Sequence, residues 1–193
     1  MKIDATLIRI QPQGAFELCV RENRGLLGAL FDKINRHPTE VFVESGKLFY
    51  YPYYCAHTQL HLPRVRSMPN RVISENMVME GGFGAVQRMG GFPDTQQQEV
   101  PQEHIVVCQY TKEQAQERIR EHLKKKGFRK YRAFPDVKVK DLQLVYKPLY
   151  ACLCRKGNKK FYKIIDAEVG ERDYMLDIRY KNMVFHQPQT PGD

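Results

Sequence analysis

The chain has 193 residues, 42% of them hydrophobic and 27% charged, with 31 Lys and Arg against 22 Asp and Glu and a net charge of +9. That much apolar material excludes a disordered chain, and the length suits one medium domain or two small ones. The charge is local: Arg118 to Lys163 holds 16 basic and three acidic residues, a balance of +13, while the rest of the chain sums to −4.

From Lys2 to Ile10, Ile3, Ala5 and Leu7 alternate with polar residues. Gln11-Pro12-Gln13-Gly14 then turns, and Phe16, Leu18 and Val20 alternate again, which predicts a β-hairpin. Asn23 is placed to cap a helix whose apolar positions Leu26, Leu27, Leu30, Phe31 and Ile34 recur at three and four residues, ending at His37-Pro38. Val41-Phe42-Val43, a Ser45-Gly46 turn and Leu48-Phe49-Tyr50-Tyr51 predict a second hairpin. Residues 63–102, rich in Gly, Met and Gln, have no clear period and predict a linker or flap.

Ile105 to Cys108 then predicts a short strand, and Thr111 with Gln114 a capping box for a helix over 112–126. Ala115, Ile119 and Leu123 form its apolar stripe, and Gly127 is expected at its C-terminal cap. Strands are predicted at 137–146, 149–155, 160–165 and 174–180, with Lys156-Gly157-Asn158 as a hairpin tip. Residues 187–193 form a polar tail.

The halves echo each other. Tyr50-Tyr51-Pro52-Tyr53-Tyr54 and Tyr146-Lys147-Pro148-Leu149-Tyr150 share Tyr-x-Pro-x-Tyr, each after an apolar pair and each downstream of a cysteine-bearing strand and a capped helix. The expected fold is therefore α+β: two small helix-on-antiparallel-sheet units, 1–62 and 103–186, joined by a long flexible connection and related by internal duplication. A proline inside each strand implies an edge strand or a bulge.

Residues 111–171, a helix followed by strands and closing in Asp166-Ala167-Glu168-Val169-Gly170, resemble PepSY domains. The resemblance implies a helix packed on an antiparallel sheet and a non-catalytic, regulatory role. Arg21 to Phe31 is similar to the strand–loop–helix start of ACT regulatory domains, without the proline usual before the glycine. Neither resemblance carries ligand residues over to this chain.

Three constellations bear chemistry. Lys124, Lys125, Lys126, Arg129, Lys130 and Arg132, with Tyr131 as a stacking face, join Arg155, Lys156, Lys159 and Lys160 as a candidate surface for nucleic acid or another polyanion. Cations there would displace counterions, and aromatic rings would stack on unpaired bases. The same lysines would also serve simply to complement a helix dipole and keep a hairpin soluble. Cys55, His57, Cys152 and Cys154 are the candidate metal ligands: if their strands paired, four soft ligands would converge on zinc, although strand cysteine is more often a small core residue. Glu80 to Val86 resembles a kinase glycine-rich loop, but Met79 stands where its first glycine should and no other kinase element is present.

No residue is assigned a catalytic role. No secretory signal or apolar span is visible in residues 1–30, and five cysteines form an odd set. The expectation is a cytoplasmic, non-catalytic binding or accessory protein without a membrane partner. Its alternatives are a PepSY-like protein-interaction module and a Cys/His metal-dependent enzyme.

Overall fold

The computed structural model describes residues 1–21, 41–64 and 68–187. The expected helix capped by Asn23 lies outside the described residues, as does most of the ACT-like segment and all of the tail beyond Gln187. The fold is α+β, with a mostly antiparallel seven-stranded sheet in the order β4-β3-β2-β6-β1-β5 and β7 on the flank of β6. The strands are β1 (Lys2–Thr6), β2 (Val41–Leu62), β3 (Arg71–Glu80), β4 (Val86–Met89), β5 (Thr95–Glu99), β6 (Asp136–Lys156) and β7 (Lys159–Asp166). Among the described residues the α-helices are α1 (Pro12–Arg21), α2 (Lys112–Tyr131) and α3 (Tyr174–Arg179).

Several expectations need correction. The second arm of the N-terminal hairpin is α1: Pro12 fits a first helical turn, and Ala15 and Cys19, four residues apart, are the side chains fully buried. Ser45-Gly46 is not a turn. β2 runs on for 22 residues, and its register against β6 shifts between Val43 and Ser45, a bulge at Glu44. The 63–102 stretch supplies β3, β4 and β5, so strands from both expected units and from the segment between them share one sheet. Residues 174–179 are helical because Asp173 accepts from the backbone N–H of Met175 and Leu176 and starts a turn.

The capping box of α2 forms as expected, and Ala115, Ile119 and Leu123 are buried. The two larger side chains each contribute about 2 kcal/mol by leaving water. Gly127 does not end α2. It lies inside the helix because Pro135 packs against it, 2.6 Å from where a Cβ would stand, and the left-handed cap falls on Arg132 at φ 54°. The Gly157-Asn158 tip joins β6 to β7 as expected, with Lys156 opposite Lys159.

The two Tyr-x-Pro-x-Tyr motifs pair with each other in the central ladder: Tyr50 lies opposite Pro148, Tyr51 opposite Lys147, and Pro52 opposite Tyr146. A local two-fold axis therefore passes between Tyr51 and Lys147. Both prolines occupy central strands, contrary to the edge expectation. Each faces the gap just past the end of a neighbouring strand, so no ladder N–H is missing: the Pro52 carbonyl accepts from Gly81 N–H at 2.8 Å and the Pro148 carbonyl from Ala167 N–H at 3.1 Å.

The match extends outward from that axis. β3 and β7 end in the same turn: Gly84 N–H donates to the Glu80 carbonyl and Gly170 N–H to the Asp166 carbonyl, both at 2.9 Å. The closing glycines have φ +72° and +77°. Tyr54 Oη donates to the Tyr110 carbonyl at 2.7 Å, and Tyr150 Oη to the Ile10 carbonyl at 3.1 Å. Ala5 bridges Tyr146 in parallel, and Ile105 bridges Tyr50 in the same sense. α1 buries Ala15 and Cys19 against the sheet, and α2 buries Ala115 and Ile119.

Both long helices cover one sheet face, α1 over Tyr150, Cys152 and Cys154 and α2 over Tyr54, Ala56 and Leu60. On the other face α3 and the segment after it cover Phe49, Leu149 and Ala151.

Candidate polyanion-binding face

α2 lies beside the end of β6 that begins at Asp136, and its outward side carries the charge. His122, Lys125, Lys126, Arg129 and Lys130 recur at three and four residues, so they share one stripe, and together they line an open groove of about 400 Å³. Lys126 donates to the Glu75 carboxylate of β3 at 2.6 Å, which fixes one wall of the groove. Lys125 lies 3.8 Å from Glu121 across an exposed pair that holds it only weakly. Burial first, then the neighbouring Lys126, pushes His122 below its ordinary value, so at neutral pH it is the uncharged member of the row.

Aromatic rings lie on the last turns of α2 and just beyond it, and none of them lines the groove. Tyr131 is approached by Arg71 at 5.8 Å and by Lys130 at 5.3 Å. Phe128 and Phe134 stack on each other with centroids 4.8 Å apart, and both are exposed, Phe134 by 73%. An exposed aromatic pair near the end of α2 offers a stacking face.

The structure divides the basic set expected from sequence. Lys124 and Arg132 are exposed but do not line the groove. Arg155, Lys156, Lys159 and Lys160 lie at the far end of β6, whose 21 residues span on the order of 65 Å along the strand. Two of those four are already engaged: Arg155 and Lys160 both pair with the bulged Glu44, at 2.9 and 2.7 Å. The two clusters therefore do not form one site. Lys163, counted in the basic segment, is buried and donates to the Cys19 carbonyl at 2.6 Å. Of the carboxylates that follow, Asp166 pairs with Lys147, and Asp177 accepts from Ile164 N–H and pairs with Arg172.

Comparison with protein-family models, with curated proteins and with solved structures returns no match. What the chain binds must be argued from its own surface.

The candidate metal ligands do not converge. Their strands pair, but antiparallel about the central axis, so Cys55 is opposite Gln143 while Cys152 is opposite Gly46. Strand alternation also puts Cys55 and His57 on one face, and Cys152 and Cys154 on the other under α1. His57 instead holds Asn76 through Nδ1 at 2.8 Å. Burial raises the Cys55 thiol to about 11. The Cys19 thiol, hydrogen-bonded to Cys152, is raised to about 12. Such thiols are core groups rather than thiolate ligands at neutral pH. Among the described residues no group of three or more His, Cys, Asp or Glu could hold a metal ion, and no helix is long and apolar enough to cross a membrane.

Two contributors escaped the sequence reading. His122 could have been found from its spacing to Lys126 and Arg129. Arg71 could not, because it reaches Tyr131 only through the β2·β3 pairing.

Proposed function

We propose that this is a non-catalytic, cytoplasmic accessory protein that binds a polyanion, with nucleic acid preferred, through the outer face of α2. The observation that carries the reading is the row of Lys125, Lys126, Arg129 and Lys130 along one open groove, with Tyr131 and the Phe128–Phe134 pair elsewhere on the C-terminal part of α2 and just beyond it. Phosphates would lie along the cations and unpaired bases against the rings. The hairpin tip is a separate, partly neutralised cluster and is not part of the site.

The charge-reversed variant K125E/R129E/K130E tests the reading in a fluorescence anisotropy assay with single-stranded and duplex oligonucleotides. Binding is expected to weaken at least 100-fold, whereas K156E/K159E at the hairpin tip changes it less than about three-fold. Wild-type protein that does not bind at low salt contradicts the proposal.

The same proposal includes an internal duplication of a strand–helix–hairpin unit of PepSY-like type. The paired Tyr-x-Pro-x-Tyr motifs and the matched glycine turns support it. In a crystal structure, residues 1–21 and 41–99 should superpose on 101–187 with both turns and both long helices in register. A superposition that aligns the turns but not the helices contradicts it.

A further inference from the structure

After β7 the chain crosses the sheet face opposite the one that α1 and α2 cover, through α3 and a 3₁₀ turn at Tyr180–Asn182. Asp173 starts the helix, and Leu176 and Tyr180, four residues apart, pack with Phe49, Leu149 and Ile164. A surface helix with one side so buried ordinarily turns polar residues outward on the other. α3 does the reverse. Tyr174, Met175 and Ile178 share its outward side and are 61%, 53% and 79% exposed. Val169 before the helix and Val184 after it are more than half exposed as well. Of the twelve large apolar side chains exposed among the described residues, five therefore fall within 169–184, a concentration that marks an interaction surface rather than scattered exposure.

The charges around that side suit a second copy of the chain. The protein carries +9, but residues 168–181 hold four acidic and three basic residues, a balance of −1. Two copies can meet here without the repulsion that the rest of the surface imposes, and an anionic lipid surface finds no net attraction. The signs are also separated along the helix. Exposed Glu171 precedes Tyr174 by three residues, and exposed Lys181 follows Arg179 by two. Between them, Asp177 is held by Arg172, and Arg179 approaches Glu80. Two α3 helices packed antiparallel about a two-fold axis through their centres would set Met175 of each copy against Ile178 of the other, and Glu171 of each against Lys181 of the other.

We infer that this face joins two copies of the chain in an isologous dimer, with Met175 and Ile178 at its centre and a Glu171–Lys181 pair at each end. The contact lies on the sheet face away from α2, so it leaves the α2 groove open on both copies and does not depend on what that groove binds. The test is the mass of the intact chain by sedimentation equilibrium up to about 100 µM, a range in which a small interface still associates. Wild type should approach twice the 22.6 kDa of one chain. Ile178→Glu changes a mostly exposed side chain and should weaken association at least about 10-fold. Phe134→Glu, at the exposed ring beyond α2, should change it less than about two-fold. Glu171→Lys and Lys181→Glu should each weaken it at least about three-fold, and E171K/K181E together should restore it, because each end pair then re-forms with its signs exchanged. A chain that stays monomeric overturns the inference, and one that is monomeric yet binds neutral phosphatidylcholine vesicles gives the face to a lipid surface instead. A dimer that Ile178→Glu leaves intact, or that the double exchange fails to restore, overturns it too.

Discussion

Among the described residues, several contacts on the two sides of the Tyr51–Lys147 pair are alike, yet the surfaces around them differ. The second half has a helix of 20 residues that carries cations along its outward side. It closes its inner face with α3. On the same sheet face, the segment Gly90 to Asp94 makes the crossing from β4 to β5, and Cys55 and Val145 are buried there.

The largest expected effect breaks the inner-face comparison. Phe49 is sealed beside Tyr180 and Phe185, with centroids at 5.3 and 5.9 Å. Phe49→Ala should cost about 3–5 kcal/mol in chemical denaturation. Its counterpart Val145 should cost about 1–2 kcal/mol as Val145→Ala. A cost for Val145→Ala as large as that for Phe49→Ala would contradict this packing.

Next come the twin carboxylates. Asp166 Oδ1 accepts from Glu168 and Val169 N–H, and Lys147 pairs with Oδ2. Asp166→Ala should therefore cost about 2–3 kcal/mol, less than a fully buried pair because Lys147 is partly exposed. Glu80 has a buried Oε2 with no hydrogen bond and only a 3.5 Å approach from Arg179. Burial, then the Asp173 carboxylate, raises its pKa. Between the ordinary and the raised value the folded chain keeps a proton that the unfolded chain has lost, so stability declines as pH rises through that window. Glu80→Gln should remove that decline and leave stability at neutral pH equal or slightly higher, as denaturation midpoints across the window will show.

The matched turns sharpen the likeness. Gly84→Ala and Gly170→Ala each force a Cβ into a left-handed conformation, and each should lower stability by about 1–2 kcal/mol. A large inequality would show that one turn is incidental. The smallest effect separates the helices: Thr111→Ala removes a capping box worth about 1 kcal/mol, while Gln11→Ala at the corresponding place before α1 should change thermal stability little.

What could be read from sequence followed from local chemistry. The Thr111 capping box, the stripe of Ala115, Ile119 and Leu123, the Gly157-Asn158 tip and the motif echo are all written within a few residues. What could not be read depended on partners far along the chain. Ser45-Gly46 has turn chemistry, yet Phe16 packs across Gly46 and the pairing with β6 carries the strand through. Gly127 answers to Pro135 rather than to a helix end. The weak period of residues 71–99 hid three strands because β4 and β5 are short and mostly polar. At the site, helical spacing identified the α2 cations. Only the length of β6 separates them from the hairpin tip.

The central claim is that binding resides in the α2 face, and the salt dependence of oligonucleotide affinity tests it most directly. With three or four phosphates neutralised, log K against log salt should fall with a slope of roughly −3 on duplex DNA. The K125E/R129E/K130E variant should bring that slope close to zero, and K156E/K159E should leave it unchanged. A wild-type slope near zero, or a slope lost only when the hairpin tip is reversed, would contradict the account.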